Sequence, residues 1–207
     1  MVIKMNLPNK ITLFRVILIP ILIGIGIATL YVDELSTPLW TELGYFSLGN
    51  LIMLIIFVIG AFSDFLDGYL ARKMNLVTNF GKFADPLADK LLVLALMVVL
   101  VEQKSLLEGW VVTIILAREF IVTGFRVVAA SRNIVIAAGW LGKIKTNLQF
   151  AMVILLLVIG PHTPIYYGDL NFFEILTMVV VYATAVMTIV SGAEYIIKNI
   201  GVLKEGD

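Results

Sequence analysis

Residues 64–89 read DFLDGYLARKMNLVTNFGKFADPLAD, and this stretch decides the fold. It sets out four carboxylates as Asp64-x2-Asp67-Gly68-x2-Ala71-Arg72-x8-Gly81-x3-Asp85-x3-Asp89. Strongly apolar sequence flanks it on both sides, with no charged residue in 48–63 or in 91–101. Asp64 and Asp67 are three residues apart and Asp85 and Asp89 four apart, so each pair shares one helical face; Ala71 continues the first face a turn later. The expected structure is a helical hairpin in which a connection of about ten residues returns the chain antiparallel. All four carboxylates then meet at one mouth of the space between the two helices.

Two carboxylates 4 Å apart repel by about 4 kcal/mol at an effective dielectric of 20. Four together must take up protons or a metal. The span contains no glutamate, and short, stiff aspartates suit hard ions with all-oxygen ligation, Mg2+ or Mn2+. Two such ions about 4 Å apart can clamp the attacking and leaving oxygens of an in-line displacement. Gly68 and Ala71 bare the helix surface beside the acids, Gly81 permits a close approach, and Arg72 offers a fork for phosphate oxygens. Each residue also has a local reading. Asp85 before Pro86 fits an N-cap with Pro at N1, and Arg72 with Lys73 fits cytoplasmic anchoring. Their joint spacing is what points to metal and phosphate.

The composition supplies the solvent. Of 207 residues, 60% are hydrophobic and 14% charged, with a mean hydropathy of +1.02, which marks an all-α integral membrane protein. Lys plus Arg equals Asp plus Glu at 15 each, so no global charge draws the chain to nucleic acid. With no cysteine, disulfides, thiolate metal sites and cysteine nucleophiles are excluded. Runs long enough to cross a bilayer fall near 10–32, 48–72, 86–102, 109–131, 146–160 and 172–198, predicting six transmembrane helices in a single catalytic domain over 1–207. The first run follows Lys4 and Lys10 but is too long for a signal peptide and lacks an Ala-x-Ala site, so it is read as a retained helix. Basic residues gather at the N-terminus, around 72–82, around 132–145 and in the tail, which predicts cytoplasmic termini and a cytoplasmic acidic mouth in the plasma membrane. Trp40, Trp110, Tyr166 and Tyr167 suit an outer interfacial belt and Trp140 an inner one. Gly24, Gly26 and Gly60 fall within helices, where they let backbones approach.

The complete spacing resembles the signature of the CDP-alcohol phosphotransferase family and matches each of its fixed positions. The resemblance covers essentially the whole chain. It implies a six-helix membrane core, often a homodimer, with the signature on helices two and three. It further implies that Asp64, Asp67, Asp85 and Asp89 hold two divalent ions, Asp89 also taking the acceptor proton, while Gly68, Ala71, Arg72 and Gly81 form the CDP site. The segment Leu7-Pro8-Asn9-Lys10-Ile11-Thr12-Leu13-Phe14-Arg15 resembles the start of those members whose acceptor carries a phosphate; there Asn9 and Thr12 approach the CDP phosphates. Alternatively Asn9 and Thr12 begin the helix and Arg15 snorkels.

Farther along, Arg118 lies near mid-membrane, where a charge costs at least about 2.5–3.5 kcal/mol and reads as functional. Glu119 is adjacent and could pair with another helix, but neighbours on a helix point about 100° apart and do not face each other; a buried structural ion pair of Arg118 with an Asp or with Glu119 is the alternative reading. Arg126 lies two turns on, placed to converge with Arg118 on one anion. Lys143, Lys145 and Thr146 precede the fifth run; Lys143 is assigned to the acceptor phosphate and Lys145 to anchoring. Ala117-Arg118-Glu119-Phe120 and Gly142-Lys143-Ile144-Lys145-Thr146 resemble the same branch of the family. That resemblance implies CDP-diacylglycerol as donor, sn-glycerol 3-phosphate as acceptor and membrane lipids as surroundings. Inositol phosphate, serine or phosphatidylglycerol remain alternative acceptors, and an ion transporter is the alternative from a different class. His162 reads as a loop residue away from any chemistry.

Overall fold

A computed structural model describes the backbone of residues 7–40, 46–74, 79–103, 107–132, 134, 136, 139–159 and 172–201, and side chains over the same residues except 7–9, 38, 40 and 64–89. The side chains of Asn9, Asp64, Asp67, Gly68, Ala71, Arg72, Gly81, Asp85 and Asp89 therefore lie outside the described residues, as do His162, Tyr166 and Tyr167 entirely. The described elements are α1 (Leu7–Tyr31), α2 (Asp33–Ser36), β1 (Pro38–Trp40), β2 (Phe46–Ser47), α3 (Leu48–Met74), α4 (Asn79–Glu102), α5 (Gly109–Ser131), α6 (Trp140–Ile159) and α7 (Phe172–Asn199). The protein is predominantly helical. The two short strands pair antiparallel, Pro38 with Ser47 and Trp40 with Phe46, within the connection from α1 to α3.

Among the described residues three helices are long and apolar enough to cross a membrane: Lys10–Tyr31, Trp140–Ile159 and Phe172–Asn199. A shorter apolar helix runs over Leu48–Ser63. The charges Arg118, Glu119 and Arg126 interrupt the apolar sequence of α5.

Two boundaries differ from expectation. Helix α4 begins at Asn79, well before Pro86, so Asp85 is an interior helical position and not the N-cap. Helix α6 begins at Trp140 instead of 146, which puts Lys143, Lys145 and Thr146 inside it. Two of these side chains bond along the helix itself. Thr146 Oγ1 donates to the Gly142 carbonyl at 3.0 Å, and Lys145 donates to Gln149 one turn on.

The chain divides into two compact units, residues Met1–Ser105 with Leu156–Thr163, and Leu106–Leu155 with Pro164–Asp207. In the first, α1 packs along α3 and α4. Its buried stripe is Thr12, Arg15, Leu18, Leu22, Gly26 and Thr29, recurring every three or four residues as one helical face demands. Gly26 and Gly60 mark close approaches. A Cβ on Gly26 would lie 2.2 Å from Val99 Cγ1, and one on Gly60 2.3 Å from Leu92 Cδ2. Gly24 has nothing within 4 Å, so its expected packing role is not found.

In the second unit α5 packs on α7. The buried face of α7 is Thr177, Val181, Thr184, Ala185, Thr188, Ser191, Gly192 and Tyr195, mostly small residues that bring the helices close. Its threonine and serine hydroxyls are satisfied within the helix: Thr184 Oγ1 donates to Val180 O at 2.7 Å and Thr188 Oγ1 to Thr184 O at 2.6 Å. Helices α5 and α7 run parallel, since Trp110 stacks on Tyr182, Arg118 meets Gly192 and Phe125 meets Tyr195 in ascending order.

Candidate active site

Three glycine contacts fix the depth of the aspartate turns. Gly49 on α3 meets Thr29 on α1, where a Cβ would lie 2.1 Å from Thr29 Oγ1. Gly26 meets Val99 on α4, and the Gln103 side-chain amide donates to the Gly26 carbonyl at 3.3 Å. Gly60 on α3 meets Leu92 on α4. Because α1 and α3 are antiparallel, counting back from Thr29 and forward from Gly49 sets Arg15 level with Ser63 and Thr12 level with Leu66. Counting back from Gly26 and Val99 sets Arg15 level with Ala88 and Thr12 level with Asp85. Counting from Gly60 and Leu92 sets Asp64 level with Ala88 and Asp67 level with Asp85. The three counts agree to within one residue. The backbone turns that carry Asp64, Asp67, Asp85 and Asp89 stand at one depth, together with the turn of α1 that carries Thr12 and Arg15.

Both α1 residues point inward. Thr12 is 1% exposed and Arg15 fully buried, so Arg15 does not snorkel. Leu18 and Leu22 continue the same stripe below them. The donor set at this depth, four aspartates on paired helices, fits a hard divalent cation that prefers carboxylate and water oxygens.

A second charged group occupies the other unit. Arg118 Nη1 lies 3.1 Å from Glu119 Oε1, and Lys145 Nζ lies 2.5 Å from the same oxygen. Lys145 also donates to Gln149 Oε1, one turn along α6. Glu119 and Lys145 are buried. Two sequence-based expectations are corrected here. Arg118 and Glu119 do meet, because the long arginine stem lets its guanidinium reach round to the neighbouring carboxylate. Lys145 is no membrane-surface anchor: it projects inward and neutralises Glu119.

Glycines flank Arg118 on both sides. A Cβ on Gly192 would lie 3.1 Å from Arg118 Cγ, and one on Gly142 would lie 3.5 Å from Arg118 Nη2. Arg118 Nε is buried without a hydrogen-bond partner among the described residues. The Arg126 guanidinium carbon sits 6.0 Å from the Tyr195 ring centroid, and Phe125 packs edge-on to that ring at 6.2 Å. Lys143 and Arg126 are exposed. The alternative reading of Glu119 as an ion-pair partner is the one the structure shows, while Gln149 and Tyr195 were missed altogether. The available signal was Lys145 and Gln149, two polar residues four apart and so on one face of the helix.

Helices apolar enough to span a bilayer, with the aspartate-bearing turns at one depth of one unit and a group of cations around Glu119 in the other, define the class as a helical membrane protein. A family model described as CDP-alcohol phosphatidyltransferase matches residues 5–190, and the chain belongs to that family. It is 45% identical over 204 residues to the CDP-diacylglycerol--glycerol-3-phosphate 3-phosphatidyltransferase of Bacillus subtilis (strain 168), covering 96% of this chain and 97% of the relative. Proteins with the same name in Rickettsia bellii (strain RML369-C) and Haemophilus influenzae (strain ATCC 51907 / DSM 11121 / KW20 / Rd) are 36% and 34% identical. The matches cover 92% and 93% of this chain, and 93% and 92% of those relatives.

Proposed function

We propose that this protein transfers the phosphatidyl group of CDP-diacylglycerol to sn-glycerol 3-phosphate, giving phosphatidylglycerol phosphate and CMP. The observation that carries the reading is the extent of the likeness: relatives named for this reaction match nearly end to end, at up to 45% identity. The acceptor hydroxyl oxygen bonds to the β-phosphorus of the donor. The bond from that phosphorus to the oxygen bridging to CMP breaks, CMP departs with the electron pair, and Asp89 takes the hydroxyl proton. One in-line displacement suffices, since Asp89 acts as base without a covalent intermediate.

Asp64, Asp67, Asp85 and Asp89 would hold two divalent ions, Mg2+ or Mn2+, which when bound stabilise charge on the phosphate oxygens and activate the hydroxyl. Asn9, Thr12, Gly68, Ala71, Arg72 and Gly81 bind the CDP moiety. Buried Thr12, level with the aspartate turns, supports its place there. Arg118, Arg126 and Lys143 bind the acceptor phosphate; the unpartnered Arg118 Nε between Gly142 and Gly192 supports that assignment.

In the membrane the chain forms one catalytic domain of six spans. Both termini and the active site face the cytoplasm across the plasma membrane, and two copies form a homodimer. The antiparallel α1 and α3 and the parallel α5 and α7 support this alternation of spans.

The test is purified protein in detergent with labelled CDP-diacylglycerol, Mg2+ and a panel of acceptors. CMP release with glycerol 3-phosphate is the expected result. Release with inositol phosphate, serine or phosphatidylglycerol, but none with glycerol 3-phosphate, would overturn it.

A further inference from the structure

Tyr195 is buried, 7% exposed, and its hydroxyl has no hydrogen-bond partner among the described residues. A buried hydroxyl normally finds an acceptor, because leaving it unpaired costs stability. Nothing in the packing forces the exception: Phe125 holds one edge of the ring and the Arg126 guanidinium lies over it, and neither accepts a proton from the phenol.

The position of the ring explains what the hydroxyl is for. Gly192 and Tyr195 are three apart and share a face of α7. Arg118 lays its stem against Gly192, and its own Nε is a second buried donor without a partner. A helical side chain leans toward the N-terminus of its helix, which carries Tyr195 back over the turn of Gly192 and toward Arg118. Arg126 leans the same way. With Arg118 level with Gly192 on the parallel α5, Tyr195 stands level with Ile121, and Arg126 starts about five residues, roughly 7 Å, beyond that level and still reaches the ring. Arg118 against Gly192, Tyr195 one turn on and Arg126 over the Tyr195 ring thus follow one another along the packed faces of α5 and α7. Arg118, Arg126 and Lys145 against Glu119 leave the group net positive. The missing partner is an anion with several acceptor oxygens.

We propose that the Tyr195 hydroxyl donates to the phosphate of the acceptor alongside Arg118 Nε and Arg126, and so contributes to selection of a phosphorylated acceptor over a neutral one. This rests on the assignment of Arg118 and Arg126 to the acceptor phosphate. Tyr195 lies beyond the residues matched by the family model, which end at 190.

Tyr195→Phe removes the hydroxyl alone and keeps the ring against Phe125 and Arg126. Measured on purified protein in detergent, it raises KM for glycerol 3-phosphate by about tenfold or more, the worth of a hydrogen bond to a charged group, and leaves KM for CDP-diacylglycerol within about twofold. Since the substitution removes an unpaired buried hydroxyl, the thermal midpoint without substrate is equal or higher. An unchanged KM for glycerol 3-phosphate overturns the proposal, and so does an equal rise in KM for both substrates, which would signal a merely structural role. Arg118→Gln, assayed alongside, separates the two levels of inference. A raised acceptor KM in Arg118→Gln but not in Tyr195→Phe removes Tyr195 and leaves the phosphate pocket standing. No change in either removes the pocket itself.

Discussion

Lys145 Nζ and Arg118 Nη1 converge on one oxygen, Glu119 Oε1, at 2.5 and 3.1 Å. A single buried carboxylate therefore holds cations from two helices. Removing it takes this carboxylate from Lys145, which is only 2% exposed. Loss of one member of a buried ion pair typically costs about 3–5 kcal/mol. Glu119→Ala is expected to lower stability by that order in thermal unfolding in detergent. Glu119→Ala combined with Lys145→Met removes both charges and is expected to recover part of the loss. A double substitution no more stable than Glu119→Ala would show that the pair is not coupled as drawn.

The glycines give a graded series. A Cβ on Gly26 meets the branched, stiff Val99 at 2.2 Å, whereas a Cβ on Gly60 meets the terminal methyl of Leu92, which can swing aside. Gly26→Ala is expected to cost about 1–3 kcal/mol, as overpacking does, and Gly60→Ala less. Gly24→Ala, with nothing within 4 Å, is expected to be neutral or slightly stabilising. Thermal midpoints of the three variants should fall in the order Gly24, Gly60, Gly26, highest first.

Asp89→Asn keeps the size of the side chain and removes its capacity to take a proton. General-base catalysis contributes roughly 100- to 10,000-fold, so CMP release with glycerol 3-phosphate should fall by at least about 100-fold. The thermal midpoint should stay close to that of the unsubstituted protein. Chelation of divalent metal should likewise abolish release, and added Mg2+ or Mn2+ should restore it. A variant that retains most of its turnover would remove Asp89 from the chemistry.

The helices and the acidic turns were legible because both are written in local spacing. Apolar runs of span length, and aspartates three or four apart, report on one helix at a time. The start of α4 at Asn79 was obscured because Asp85-Pro86 has the local form of a helix start, although the helix already begins at Asn79. The start of α6 was hidden by Gly142, Lys143 and Lys145, whose polarity reads as a loop until Lys145 is seen to bond Gln149 and Glu119. For Arg15 it is the alternative, a snorkelling side chain, that the structure excludes. A guanidinium at a helix end fits the lipid interface, and only the stripe it shares with Leu18 and Leu22 turns it inward. What the sequence withheld is which charges meet across helices, since that depends on packing and not on spacing.

Lys143 and Lys145 separate binding from folding within two residues of chain. Lys143 is exposed and Lys145 is 2% exposed, bonded to Glu119 and Gln149. Under the proposed assignment, Lys143→Ala removes a charge that attracts the acceptor phosphate but supports no buried contact. An exposed phosphate contact is screened by salt. The expected outcome is a rise of a few-fold, about 3- to 10-fold, in KM for glycerol 3-phosphate that narrows as ionic strength increases, with thermal stability within about 0.5 kcal/mol. Lys145→Met is expected to reverse the pattern, shifting the thermal midpoint without a comparable salt-dependent change in KM. Measuring KM at low and high salt and the thermal midpoint for both variants tests the division. A salt-sensitive KM effect in Lys145→Met, with none in Lys143→Ala, would exchange their roles.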